Sequence, residues 1–163
     1  MFFCRYVELF FAHLYPIMPI LDPGLFLDMN FFLRPDPLTS DEYCLLAALS
    51  AVTIVQLNLT ASPGEGVLPV LQPEVLIQQC LQEGARNDGF LEEPTTGTII
   101  TSFFLFGYYG NMEMHSQSRY YLQQAITFGE MINLGDETVN ARLSEGTRQW
   151  RLRIFWLLFI TER

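Results

Sequence analysis

The sequence contains no lysine. Nine arginines face eighteen acids, and the net charge is −9. A surface of that sign repels phosphate backbones, so the chain by itself is expected to make no direct nucleic-acid contact. Cysteine is scarce as well. Cys4, Cys44 and Cys80 are widely spaced and form no CxxC pair. That argues against a zinc site or a disulfide framework and for small buried hydrophobes. The two histidines, His13 and His115, lie far apart, and neither sits in an HExxH pattern or beside a nucleophile. Gly64-Glu65-Gly66 lacks the surroundings of a phosphate loop, and its acid would repel phosphate. These absences point to a chain that is not an enzyme and carries no cofactor or metal of its own. The stretch from Tyr43 to Gly64 is uncharged but is interrupted by Ser50, Thr53, Gln56, Asn58 and Pro63. It reads as a buried helix rather than a membrane span.

Apolar residues are abundant: half of the 163 residues, with fourteen Phe. This is the composition of a folded domain with a sizeable core. Their spacing is helical nearly throughout. Phe3, Val7, Phe10, Phe11 and Leu14 mark a helix over 2–15, which Pro16 and Pro19 end. An apolar connector, YPIMPILDPGLF, then packs against the core, and 34–41 forms a loop. Thr39-Ser40-Asp41-Glu42 is a capping box that opens a helix running to Leu59. Residues 61–66 read as a turn. Pro73 suits the first turn of a helix over 73–87, with Ile77, Cys80, Leu81 and Gly84 on one stripe. Residues 95–110 form a helix despite the β-prone Thr and Ile at its start. A further helix covers 116–134, with Leu122, Ala125, Ile126 and Gly129 on one face, a close crossing expected at Gly129 and Gly135 as its C-cap. The last helix begins after Ser144. The expected fold is all-α, an irregular bundle of about six helices.

The end of the chain, RQWRLRIFWLLFITER, poses the sharpest question. Residues 1–141 hold sixteen acids against four Arg, whereas 142–163 hold five Arg against two Glu. Behind Arg148, Arg151 and Arg153 come seven consecutive large apolar residues, Ile154 to Ile160. Burying each is worth about 1.5–3 kcal/mol. Consecutive apolar residues cover every side of a helix, so this one is expected to be buried all round, with residues 1–163 forming the N-terminal part of a larger helical domain. With so many acids upstream, the arginines are expected to pair with carboxylates, which suit their planar fork of donors.

RQWRLRIFWLLFITER resembles the signature motif of the regulatory domain, or middle homology region, of fungal zinc-cluster transcription factors. Arg148, Arg151 and Arg153 match its basic run, Phe155-Trp156 its aromatic core, and Glu162-Arg163 its closing acid-Arg pair. HLYPIMPILDPGLF (13–26) is similar to the opening of that domain, and YYLQQAITFGEMINLGDE (120–137) to one of its inner helices. Asn133-Leu134-Gly135-Asp136 departs from the family's usual LGLH ending, so the family histidine is absent. The form WLLFITER is similar to that of activators of starch and maltose utilisation genes. The resemblance implies an all-α regulatory domain in a nuclear factor that controls activation by sensing an inducer metabolite, by contacts with the remainder of the same factor, or through a regulatory protein. Zinc and DNA then belong to a separate six-cysteine module. A second reading stays open: a helical small-molecule-binding domain or enzyme whose pocket is lined by Phe103, Tyr108, Tyr109, Met112 and Tyr121.

Overall fold

The structure is a computed structural model that describes residues 3–59, 71–87 and 89–163. The turn expected at 61–66 lies outside the described residues. Within them every regular element is helical. Chain order runs α1 (Cys4–Leu9), a π-helical turn (Phe10–Leu14), α2 (Pro23–Phe26), α3 (Met29–Leu33), α4 (Ser40–Gln56), α5 (Pro73–Arg86), α6 (Gly89–Glu92), α7 (Thr96–Asn111), α8 (His115–Met131), α9 (Glu137–Asn140) and α10 (Glu145–Glu162). The six expected helices are α1, α4, α5, α7, α8 and α10. The short α2, α3, α6 and α9 occupy segments read as connectors or loops.

Helix α4 is the axis of the bundle. Cys44 to Ile54 are buried without a break, because α1, α5 and α7 pack around it. Four of those residues are Ala or Ser, and small side chains let neighbouring helices approach closely. Gly107 of α7 shows how close: a Cβ there would lie 3.2 Å from Val52. Phe10 fills the space between α1 and α7, with its ring edge-on to Phe104 at 5.5 Å. The connector after Pro16 packs inward as expected, with Ile20 and Leu21 fully buried. It is not wholly extended: Asp22 caps the single turn of α2 by accepting from the Gly24 N–H.

The helix ends obey local chemistry. Thr39 and Glu42 form the capping box read from the sequence. The β-prone start of α7 is overridden by a second one, in which Thr95 and Thr98 satisfy each other's backbone N–H. Helices α4, α7 and α8 all end in the same way. Asn58, Glu113 and Asn133 adopt left-handed backbone, with φ of 49°, 58° and 50°. The N–H after each reaches back across the last turn: Leu59 to Ile54, Met114 to Tyr109, and Leu134 to Gly129. This is the Schellman arrangement. For α8 it moves the cap from Gly135, where the sequence suggested it, to Asn133.

A loop closure holds the start of α4. Arg34 pairs with Glu42 and lies over the Phe31 ring at 4.8 Å. The bond from Arg34 holds the Glu42 carboxyl below its ordinary value of 4.5, and burial opposes this only in part. Because the folded value is the lower one, the pairing stabilises the fold at neutral pH. That contribution fades as pH falls from about 4.5 through the folded value. Arg34→Met is therefore expected to lower the melting temperature at pH 7 and to make little difference at pH 3. An equal loss at both pH values in thermal melts would contradict this account.

Candidate functional site

The residues of the basic and aromatic motif lie on α10, with Arg163 as its C-cap, and this helix ties three distant segments together. Ser144 caps the start of α10. Trp150 then donates its indole N–H to the Ile20 carbonyl at 2.7 Å. Arg153 donates to the Tyr15 hydroxyl at 2.7 Å. Its Nε is buried and has no partner among the described residues. Between them Arg151 points to the opposite side, toward the α8–α9 turn.

Arg151 is the least expected of the three. It is only 8% exposed, yet among the described residues no carboxylate pairs with it. Nε donates to Asn140 Oδ1 at 2.7 Å, and Nη2 donates to the carbonyls of Ile132 at 2.9 Å and Asn133 at 3.1 Å. Asn140 in turn donates to the Leu134 carbonyl at 2.9 Å. The acceptors are neutral, but the Ile132 carbonyl stands at the C-cap of α8, where the helix dipole is negative, and the Asn133 carbonyl next to it also accepts from the Asp136 N–H. Helix α8 has no basic residue in its own last turn, and Arg151 supplies that charge from another helix. Burial pushes the Arg151 pKa down from its ordinary value.

The expected carboxylate pairing is therefore corrected in part. Arg148 does pair with a carboxylate, Glu145 one turn earlier at 2.7 Å, but on the surface, where such a pair contributes little. Arg163 lies over the Phe159 ring at 4.2 Å. Glu162 lies on the rim of a neighbouring cleft.

Complete burial of α10 is also corrected. Ile154 and Leu158 are buried, Phe155 is half-buried, and Trp156 and Ile160 are 54% and 68% exposed. Seven apolar residues in a row cover all sides of a helix, but the bundle around α10 reaches only part of them. Phe155 shapes its neighbour: a Cβ on Gly135 would lie 2.6 Å from the Phe155 ring. A side chain there would have to displace the Phe155 ring, so glycine serves space rather than capping. At Gly129 a Cβ would meet Leu134 and Leu158 at 3.4 and 3.6 Å, ordinary contact distances, so the α8–α10 crossing does not demand glycine.

Phe155 and Leu158 floor a cleft of about 440 Å³ between α8, the α8–α9 turn and α10. Ile126, Leu134 and Phe159 complete its apolar lining, and Glu130, Asp136 and Glu162 stand at its edge.

The five aromatic and Met positions of the second reading do not converge. Tyr109 and Tyr121 stack, with ring planes 5° apart and centroids at 5.4 Å. Burial pushes the Tyr121 hydroxyl up to about 12, so it stays a neutral phenol. Tyr108 is buried edge-on to Tyr109. Phe103 faces a different cleft, beside Leu14, Met18 and Leu157. Met112 caps the end of α7 and is 40% exposed. Among the described residues no group of three or more His, Cys, Asp or Glu is placed to hold a metal ion, and no helix is long and apolar enough to cross a membrane.

Replacing Arg151 by Lys is expected to destabilise the chain by about 2–4 kcal/mol in urea unfolding, because a single ammonium nitrogen cannot reproduce the planar fork that reaches Asn140 from Nε and the Ile132 and Asn133 carbonyls from Nη2. Gly135→Ala is expected to cost about 1–3 kcal/mol through overlap with Phe155. Near-neutral effects of both would remove the packing argument for this turn.

The chain can be set beside known proteins. Residues 7–163 match the family described as "Fungal specific transcription factor domain". A relative is the "Probable sucrose utilization protein SUC1" of Candida albicans, 27% identical over 150 residues, which are 91% of this chain and 29% of that protein. The chain thus spans less than a third of the length of that relative. No solved structure matches it. With the family covering nearly the whole chain and the basic-aromatic helix tying the bundle together, this polypeptide belongs to the fungal specific transcription factor domain family and is an all-α regulatory domain of that class.

Proposed function

We propose that this domain controls the activation output of a nuclear, sugar-responsive transcription factor, and that α10 is the element through which it does so. The observation that carries this reading is the three-way tie made by Trp150, Arg151 and Arg153. One helix fixes the segment around Ile20, the end of the first helical segment at Tyr15, and the α8–α9 turn. A ligand or partner that favours one setting of that helix would move all three segments together. The sugar class is taken from the name of the Candida relative and from the likeness of WLLFITER to activators of starch and maltose utilisation genes.

On this reading the domain performs no catalysis. Zinc and DNA belong to a separate six-cysteine module, since only Cys44 and Cys80 lie side by side and among the described residues no group of three or more ligands is placed to hold a metal ion. The remainder of the factor is the first partner, and the domain is the leading part of a larger helical assembly.

Two substitutions test this in the complete factor. Trp150→Phe removes the indole N–H and keeps an aromatic ring, and Arg153→Met removes the bond to Tyr15. Loosening the tie by about 1 kcal/mol changes a two-state balance about fivefold. Reporter induction by sucrose or maltose is expected to shift by that order, with factor abundance and DNA binding by the separate module unchanged. Normal induction curves for both variants at normal abundance would overturn the proposal.

A further inference from the structure

The cleft beside α10 has a defined chemistry. Its floor is apolar: Ile126 from α8, Leu134 from the turn, and Phe155, Leu158 and Phe159 from α10. Its rim is acidic on three sides, with Glu130 on α8, Asp136 on the turn and Glu162 on α10. Asp136 is committed to its charge. It accepts from the Thr138 N–H at 2.7 Å, the Val139 N–H at 3.2 Å and the Thr138 hydroxyl at 2.6 Å, which hold its carboxyl below the usual range. No Arg or His lines the cleft. Arg163 lies over the Phe159 ring at 4.2 Å, so an aromatic of this groove already takes a guanidinium on its face, and Arg151 stands behind the groove wall with a donor on the Asn133 carbonyl.

The apolar surface does not stop at the cleft. Trp156 meets the rings of Phe155 and Phe159 edge-on, at 5.4 and 5.6 Å. Ile160 follows one turn later, and both are more than half exposed. From Phe155 to Glu162 this is a strip about two helical turns long. A compact ligand would fill the cleft and leave the strip bare. A second helix laid along α10 would cover both, with large apolar side chains inward and its flanks against the acidic rim.

We infer that this groove docks a basic amphipathic helix of a partner protein, apolar at i, i+3 or i+4, and i+7 and flanked by Lys or Arg. The net charge of −9 favours the same partner at long range. The inference deepens the regulatory reading by naming the chemistry of a partner, but it is tested by binding rather than by induction, so either can fail without the other.

The probe is a helical peptide with Leu at i, i+4 and i+7 and Lys at the flanking positions, compared with the same peptide carrying Glu instead. Binding to the purified chain is followed by calorimetry and by Trp fluorescence, since Trp156 borders the groove. The Lys peptide is expected to bind and the Glu peptide not to. The pair Glu130→Lys and Glu162→Lys should weaken binding at least about tenfold. The same charge change at Glu92 and Glu93, outside the groove, should leave it within about twofold. Equal binding of both peptides, no binding, or equal weakening by both pairs of substitutions would overturn the inference. So would two other results: a dimer of the chain that dissociates on Glu162→Lys, which would make a second copy the occupant, or binding lost in the complete factor, which would mean that its own chain fills the groove.

Discussion

A guanidinium buried against carbonyls is the constraint on which the second half of this structure depends. Burying a cation costs several kcal/mol unless its donors are satisfied, and Arg151 meets that demand without an anion. The end of α8 presents carbonyls that its own helix cannot use; the Schellman turn at Asn133 leaves that of Ile132 to Nη2, which also shares the Asn133 carbonyl with the Asp136 N–H. Asn140, the last residue of α9, takes the Nε and ties its own amide to Leu134. The loop between α8 and α10 therefore folds around a side chain that comes after it in sequence. Its geometry is set by donors and acceptors more than by apolar packing.

Arg151, Trp150 and Arg153 together set the rotation of α10 about its axis, each with one direction. Trp150 turns to Ile20 and Arg153 to Tyr15, contacts that span 130 and 138 residues of chain. Closing loops of that length carries an entropic cost that local contacts do not. It is offset here by full burial of Ile154 and Ile20 together with the two long-range bonds. The same rotation decides which part of the apolar run is covered. Ile154 and Leu158 face α8 and the core, and Trp156 and Ile160 face outward.

Elements whose causes are local were legible in the sequence. The capping box at Thr39, the Pro73 helix start and the burial of α4 all follow from residues close together in the chain. The misreadings share another origin. Gly135 looked like a cap because a cap is a local idea, whereas its reason is a ring from α10. Arg151 looked like half of a salt bridge because acids are numerous, yet composition says nothing of which group stands opposite. The signal that could have helped was a negative one: α8 carries no basic residue in its last turn, which leaves its terminal carbonyls in want of a cation from elsewhere. The run from Ile154 to Ile160 showed how much apolar surface needs cover, but not how much of it the surrounding helices could reach.

The acidic groove and the arginine tie share one wall, and this links them energetically. Asn133, Leu134, Gly135 and Asp136 line the groove. The carbonyls of Asn133 and Leu134 are the ones that Arg151 and Asn140 hold. Gly135 has no slack against Phe155, which floors the same groove. An occupant that moved Phe155 would push on Gly135 and so strain the turn that Arg151 grips. An occupant that fitted the groove as it stands would hold the turn in place and favour the tie. By linkage the reverse is also true: a change that loosens Trp150 or Arg153 alters the rotation of α10 and with it the shape offered to the occupant. Coupling of this kind needs no long pathway, because one four-residue turn belongs to both sites.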